Sequence, residues 1–422
     1  MPVLTVSDFK GFYWTALNLS HPLTILVGPN GSGKSNFVEA LEFLAGYARG
    51  IPLNEFSDLN GHGKVEIRGG LPGCPTLGIH AFSFIYRGSY KEVRYNYRIN
   101  INAFPPRITD ECLYIDDNRP VFEFDENVAD ETYRSIRING TKENQKLDLY
   151  GNIKQSALWQ FKLAPKDYKN DFIQEIVDHI VEDLIRFTVL DPKPHMMREY
   201  QSIGDSMVRP DGANLSAVLH HLSKGGEKEQ ESLRWLAEQI KAIPEEPFSR
   251  VHFVETEIGD VIFGFIHKDK RGEHFISAKV LSDGTLRILA VLTALETAME
   301  GQTIIIEEFD NGLHPSRIDH LLEAIRSVCR RRKIRVIVTT HNPATLNGLK
   351  MNELEGVMLC HHDEIDEANH LTPLLQLPYH VELLERGRLG DLVTRQIVDE
   401  YLSPDFEEKR KEKTLKWLEG LS

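Results

Sequence analysis

The 422-residue sequence is short of cysteine: it has four, at positions 74, 112, 329 and 360. They lie far apart and form no Cys-x-x-Cys pair, which argues against a disulfide framework or a zinc site and suits reduced thiols in a cytosolic protein. Positive charge is in deficit, with 49 Lys and Arg against 63 Asp and Glu and a formal net charge of −14. A uniformly basic nucleic-acid surface is therefore not expected, and only a local basic groove is left open. Long apolar runs are absent; the longest, at 288–299, is too short and too interrupted to span a bilayer. The first residues, Met1-Pro2-Val3-Leu4-Thr5, lack the basic and apolar regions of a signal peptide. The expectation is a soluble cytoplasmic protein with no membrane partner. No internal repeat or low-complexity segment is visible. What remains is an ordinary globular composition, 41% hydrophobic and 27% charged, with enough length for two or three domains.

One stretch organises the chain: Gly28-Pro29-Asn30-Gly31-Ser32-Gly33-Lys34-Ser35. The apolar, β-branched run 23–27 before it reads as a buried strand. The run 36–44 after it reads as a helix with Phe37, Leu41 and Leu44 on one side. Strand, glycine loop and helix form a phosphate-binding arrangement. Glycines let backbone N–H groups curl around a β-phosphate, and the helix N-terminus adds its positive dipole end. Lys34 can reach the β- and γ-phosphates, and Ser35 can ligate Mg²⁺.

Residues 3–27 read as a hairpin that turns at 8–12 and leads into this loop, and 50–62 read as loop. Period-two alternation at 65–68 and 95–101, with a strand at 79–86 between, predicts an antiparallel sheet. Further short strands are expected at 111–115, 120–124 and 135–138, with an Asn139-Gly140 turn. Tyr and Arg interleave along 86–98, which packing tyrosines and solvated arginines explain better than a nucleic-acid face. Residues 150–187 read as helical, with an apolar stripe through Phe172, Ile173, Ile176, Val177, Ile180, Val181, Leu184 and Ile185. Helices are expected at 215–222 and 228–243, and strand alternation at 251–267. The charged stretch 407–413 reads as a solvated helix face.

Three later motifs complete a site. Thr303-Ile304-Ile305-Ile306-Glu307-Glu308 is a buried strand ending in two acids. The first can hold Mg²⁺ through water and the second can polarise an attacking water. Val336-Ile337-Val338-Thr339-Thr340-His341 is a second buried strand, whose terminal imidazole can sense a γ-phosphate. Leu281-Ser282-Asp283-Gly284-Thr285 opens a helix expected over 286–300, and its Ser-x-Gly turn is a second anion site.

Taken together, these residues resemble the ATP-binding-cassette ATPases: a Walker A loop at 28–35, a signature motif at 281–285, a Walker B strand at 304–308 and a switch histidine at 341. An insertion of over 200 residues without long heptads, and no membrane domain, is similar to the SMC, RecF and overcoming-lysogenization-defect group. Ser282-Asp283-Gly284-Thr285-Leu286-Arg287, the run from Glu307 to Pro315, Thr339-Thr340-His341-Asn342-Pro343 and Arg209-Pro210-Asp211-Gly212-Ala213-Asn214-Leu215 resemble the RecF-like predicted ATPases of bacteria. The resemblance implies an α/β P-loop head with a mixed core sheet, a flanking antiparallel β region and an inserted helical lobe. It suggests a division into 1–145, 146–245 and 246–422.

By position, the resemblance implies that Asn30, Gly31, Gly33, Lys34, Ser35 and Asn36 contact ATP, that Ser35 and Glu307 hold Mg²⁺, that Glu308 is the general base and that His341 senses the γ-phosphate. Ser282 and Gly284 would contact ATP bound to a second copy, and Asn311 and Gly312 would fall in the D-loop that crosses the dimer. Glu307 stands where many cassette ATPases have Asp. The Q-loop glutamine is left among Gln145, Gln155 and Gln160. Implied partners are a second copy of the chain and a separate effector such as a nuclease, often in anti-phage defence. The alternative is an ATP-controlled DNA-binding or repair module, for which Arg330-Arg331-Arg332-Lys333 counts weakly. A transporter subunit does not fit the size of the insertion. Some 80 residues follow His341, too few for the group's fused nuclease domain. His361-His362-Asp363-Glu364 reads as a solvated turn, so no nuclease activity is expected in this chain.

Overall fold

The run Leu23–Val27 is a strand buried at every residue. In the computed structural model, which describes residues 2–59, 63–116, 119–124, 134–138, 145–149, 154–165, 171–242, 248–403 and 405–419, this strand lies inside a six-stranded sheet. Of residues 134–138, 145–149, 269, 413, 414 and 416–419 the backbone alone is described. The sheet order is Phe187–Leu190, Thr303–Ile306, Arg335–Thr340, Leu23–Val27, Val357–Asp363 and Ala368–Pro373. The first five strands run parallel and the sixth returns antiparallel. Parallel strands covered on both faces read as continuous apolar runs, which is why 303–306 and 336–338 stand out in the sequence.

Register brings the chemical residues to one edge. Leu190 pairs with Ile306 and Ile306 with Val338, so Asp191, Glu307 and Thr339 follow side by side. Thr340 pairs with Val27, so His341 follows beside Gly28. This is the carboxyl edge, where open α/β sheets bind their ligands.

An eight-stranded antiparallel sheet flanks the core, in the order Gln145–Leu149, Arg134–Ile138, Arg119–Phe124, Pro106–Ile115, Val93–Ala103, Ala81–Tyr90, Val3–Phe9 and Phe12–Asn18. The helix after the glycine loop, Lys34–Ala48, packs on it. The Phe43 ring lies 4.5 Å from Phe56, 5.3 Å from Phe82 and 5.5 Å from Phe84. Tyr86, Tyr95 and Tyr97 are buried in the same core, Arg98 bonds Asp110 at 2.8 Å, and Arg87 and Arg94 are exposed. The Asn139-Gly140 turn lies outside the described residues.

The inserted segment is shared between two apolar cores. Helices Ala157–Leu163 and Asp171–Ile185 join the core of the antiparallel sheet. Helices Leu215–Lys224 and Glu227–Lys241 pack with Asp283–Thr297 and the carboxyl-terminal half. The division at 145 and 245 remains a proposal about how the chain is organised.

Several local expectations need correction. Among the described residues, the region read as helical over 150–187 holds the helices Ala157–Leu163 and Asp171–Ile185, and Phe187–Leu190, at its end, is an edge strand of the core sheet. Its Phe187 and Leu190 are buried and its Thr188 and Val189 are β-branched, a pattern that suits a strand once the helical stripe has ended. Asp260–Asp269 pairs with Phe248–Glu255 and also with Gly272–Ser277 and Gln201–Ser202, in a four-stranded sheet. The helix expected to begin at 286 begins at Asp283, because the Ser282 side chain caps it by accepting from Thr285 N at 3.2 Å. His361, His362 and Asp363 belong to a strand and not to a turn; His361 pairs with His370 across it. Among the described residues no helix is long and apolar enough to cross a membrane.

Candidate active site

The glycine loop closes on itself. A Cβ at Gly28 would lie 2.1 Å from the Cys360 carbonyl and 2.7 Å from Ser32 Oγ, so only glycine lets the loop pass the neighbouring strand. Gly33, at φ +98°, caps the helix Lys34–Ala48 with no side-chain acceptor, and the first turn holds no acid. The helix therefore keeps its N-terminal N–H groups and positive dipole end for an anion. Ser32 Oγ is buried without a partner in the same loop. An orphaned hydroxyl and an uncapped helix start fit a phosphate group. Lys34 Nζ donates to the carbonyls of Gly28 at 2.7 Å and Pro29 at 2.8 Å. Burial pushes its pKa down, opposed by Cys360, Glu308 and Glu307.

Across the sheet edge, Ser35 Oγ donates to Glu307 Oε2 at 2.6 Å. Glu307 is pushed above the ordinary glutamate range, first by burial and also by Asp191, against the Ser35 bond and Arg68. A hydroxyl and a carboxylate held together beside a phosphate site are hard oxygen ligands suited to Mg²⁺.

Glu308 has a left-handed backbone, φ +44°, uncommon for a side chain with a Cβ and found where the surroundings impose it. Its N–H donates to Thr339 Oγ1 at 2.9 Å, which ties the acid strand to the histidine strand. Asn311 Nδ2 donates to Glu308 Oε2 at 3.1 Å, so Asn311 orients the second acid within its own chain. Asp310 is buried and accepts from Thr340 Oγ1 at 2.5 Å and from Thr345 Oγ1. Burial pushes Asp310 up, opposed by those bonds and by nearby His341. His341 itself is exposed at the edge.

The signature turn stands against the acid loop. A Cβ at Gly284 would meet Leu313 at 3.2 Å and Arg317 at 3.5 Å, with the Gly312 carbonyl at 3.8 Å. Ser282 and Asp283 are exposed. Asn30 and Gly31 are exposed at the tip of the glycine loop. Asn36 faces another way: its Nδ2 donates to Lys10 O at 2.7 Å and its Oδ1 accepts from Arg68 at 3.0 Å. With Lys10, Tyr13 and Arg68 it lines an adjoining cavity of about 500 Å³. Lys10 and Arg68 both pair with the buried Glu39.

Gln155 and Gln160 are placed away from the glycine loop. Gln155 bonds the Gly50 carbonyl, beyond the far end of a 15-residue helix and so about 20 Å from the loop, and Gln160 bonds the Gln155 carbonyl. The Gln145 side chain lies outside the described residues. Beside Glu307 stands Asp191, a residue that no motif in the sequence singles out. Asp310 was likewise missed, and Lys10 and Arg68 were not singled out. A signal for Asp191 exists in retrospect: a short apolar run ending in an acid, as in the strand of Glu307.

A family model described as "AAA domain, putative AbiEii toxin, Type IV TA system" matches residues 23–347, well over half the chain. The chain is 34% identical over 87 residues to the endonuclease MutS2 of Carboxydothermus hydrogenoformans, covering 21% of this chain and 11% of that protein. It is 41% identical over 58 residues to the chromosome partition protein Smc of Methanocaldococcus jannaschii, covering 13% and 5%. It thus spans a small part of either relative. A solved Smc head, bound to the C-winged helix domain of ScpA, aligns with TM-score 0.51 at 11% identity over 88% of this chain and 96% of that one. That likeness speaks for the fold. The family model, over residues that include the loop, the acid strand and the histidine edge, makes the chain a member of the AAA-domain family, with the fold of an Smc head.

Proposed function

We propose that this chain binds and hydrolyses ATP with Mg²⁺, and that ATP pairs two heads to switch a separate effector, in anti-phage defence. The hydrogen bond between Ser35 and Glu307 carries the reading, because it joins the glycine loop to the acid strand at the sheet edge. Gly31, Gly33 and the start of the helix Lys34–Ala48 cradle the β-phosphate, and Lys34 moves from the loop carbonyls to the β- and γ-phosphates. Asn30 closes the loop over them. The cavity beside Asn36 receives the rest of the nucleotide. Ser35 and Glu307 would hold Mg²⁺, which supplies charge neutralisation between the phosphates when bound. Glu308, oriented by Asn311 and Thr339, takes the proton of the attacking water. His341 meets the γ-phosphate and reports its loss.

Ser282 and Gly284 complete the site from a second copy, with Asn311 and Gly312 at the crossing. The family's Type IV TA description supports a defence setting. The basic run that counts weakly for the DNA-binding alternative is partly engaged within the chain: Arg331 pairs with buried Glu296, Arg332 bonds the Ala298 carbonyl and Lys333 pairs with Glu300.

The test is ATP turnover with Mg²⁺ for the unaltered chain, K34A and E308Q. The unaltered chain is expected to turn over, K34A to lose ATP binding, and E308Q to keep binding while turnover falls about 10²–10⁴-fold. Turnover by E308Q at the parent rate would remove Glu308 from its role.

A further inference from the structure

The segment that follows the edge strand Phe187–Leu190 begins beside Glu307 and ends on the signature turn. At its start, Asp191 N donates to Pro210 O and Lys193 N to Asp211 O, both at 2.8 Å. At its end, Arg198 closes the short turn Met196–Arg198. Arg198 Nη2 donates to Leu281 O at 2.8 Å and to Asp283 Oδ1 at 2.6 Å. These two acceptors flank Ser282, the residue that caps the helix Asp283–Thr297. The Arg198 side chain is 26% exposed and the Asp283 side chain 70%. Beside them, the Lys279 ammonium lies 5.5 Å from the Tyr200 ring centroid, a second tie between the same two segments.

The electrostatics of this turn contain a conflict. A carboxylate in the first turn of a helix favours the helix but repels a phosphate arriving at the same N-terminus. Asp283 is that carboxylate, placed between the two residues, Ser282 and Gly284, that would meet the phosphate. A guanidinium at 2.6 Å offsets its charge, and the second bond to Leu281 O fixes the backbone on the other side of the cap.

We infer that Arg198 is the positioning residue of the signature turn: it neutralises Asp283 and holds residues 281–283 so that Ser282 and Gly284 can accept the γ-phosphate bound to a second copy. This rests on the head-pairing reading above. It makes the inserted segment a link between the Mg²⁺ edge of one site and the signature turn of the other.

The test uses the full chain in the E308Q background, with R198Q, D283N, the double variant R198Q/D283N, and R198K. Affinity of the unpaired head for a fluorescent ATP analogue is read first, then ATP-dependent pairing by sedimentation. R198Q is expected to keep analogue affinity within about twofold and to weaken pairing about tenfold or more. R198Q/D283N is expected to recover most of that loss, since the repelling charge is gone. R198K, which keeps the charge, is expected to pair within about threefold of the parent. With Glu308 intact, R198Q mixed with K34A is expected to regain turnover, because the mixed pair holds one site with a sound glycine loop and a sound turn.

Pairing unchanged in R198Q, a double variant as weak as R198Q, or analogue affinity lost together with pairing would overturn the inference. A tenfold loss in R198K would overturn its charge component, and serves if R198Q does not fold. Failure of E308Q itself to pair, with Arg198 intact, would remove the head-pairing reading and this inference with it.

Discussion

Ser35 and Glu307 lie 272 positions apart in the chain and are joined by a hydrogen bond of 2.6 Å, with the serine hydroxyl donating. The bond exists because two parallel strands, Leu23–Val27 and Thr303–Ile306, sit on either side of Arg335–Thr340 and end at the same edge. Glu307 is held above the ordinary glutamate range, chiefly by burial. A group with a raised pKa keeps its proton to higher pH, and that proton must leave before the carboxylate can bind a cation. The Mg²⁺ requirement for ATP turnover is therefore expected to steepen on acidification, beginning above pH 4.5, by up to about tenfold in apparent Mg²⁺ affinity per pH unit. E307Q is expected to weaken apparent Mg²⁺ affinity at all pH values and to flatten this slope. Titrating Mg²⁺ at several pH values reads both.

Asp310 gives a prediction about stability. Its buried carboxylate is the shared acceptor of Thr340 and Thr345. D310A leaves two buried hydroxyls without their acceptor and is expected to cost about 2–4 kcal/mol. T345V removes one donor and keeps the other, and is expected to cost about 1 kcal/mol. Urea unfolding of the three chains measures the difference. Because Asp310 also fixes the residue before His341, D310N is expected to lower ATP turnover more than it lowers stability.

Glu42, on the helix after the glycine loop, is pushed up to about 7 by burial and by the charges of Glu39 and Glu307, with Arg49 opposing. Its folded pKa lies above its unfolded value. Its contribution is therefore full below pH 4.5 and is lost as pH rises through about 7. The gap corresponds to ~3 kcal/mol between the two plateaus as an upper bound. E42Q is expected to match the parent in unfolding free energy near pH 5 and to exceed it at pH 8. Equal slopes of stability against pH in the two proteins would contradict this.

Much of the head was legible in the sequence because its central strands are covered on both faces and its loop carries three glycines, of which Gly28 and Gly33 leave no room for a Cβ. Leu23–Val27, Thr303–Ile306 and Arg335–Thr340 each appear as an apolar run ending in chemistry. Phe187–Leu190 did not, because it has four residues and follows an amphipathic helix after one intervening residue, Arg186, so its apolar residues extended the helical stripe. Asp310 reads as one more acid after Glu307 and Glu308; only its burial and its two threonine donors distinguish it. Asp191 gains meaning from register with Glu307, which periodicity does not carry. Gln155 was a reasonable candidate by type, yet its bond to the Gly50 carbonyl fixes it at the wrong end of the helix.

The central claim is that ATP pairs two heads through Ser282 and Gly284. E308Q keeps an acceptor oxygen for Asn311 while removing the general base, so ATP should stay bound and unhydrolysed. The decisive measurement is the mass of E308Q in solution, with and without ATP and Mg²⁺. The account predicts one chain per particle without ATP and two with it. A single chain under both conditions would contradict it, and would leave Ser282 as a helix cap alone.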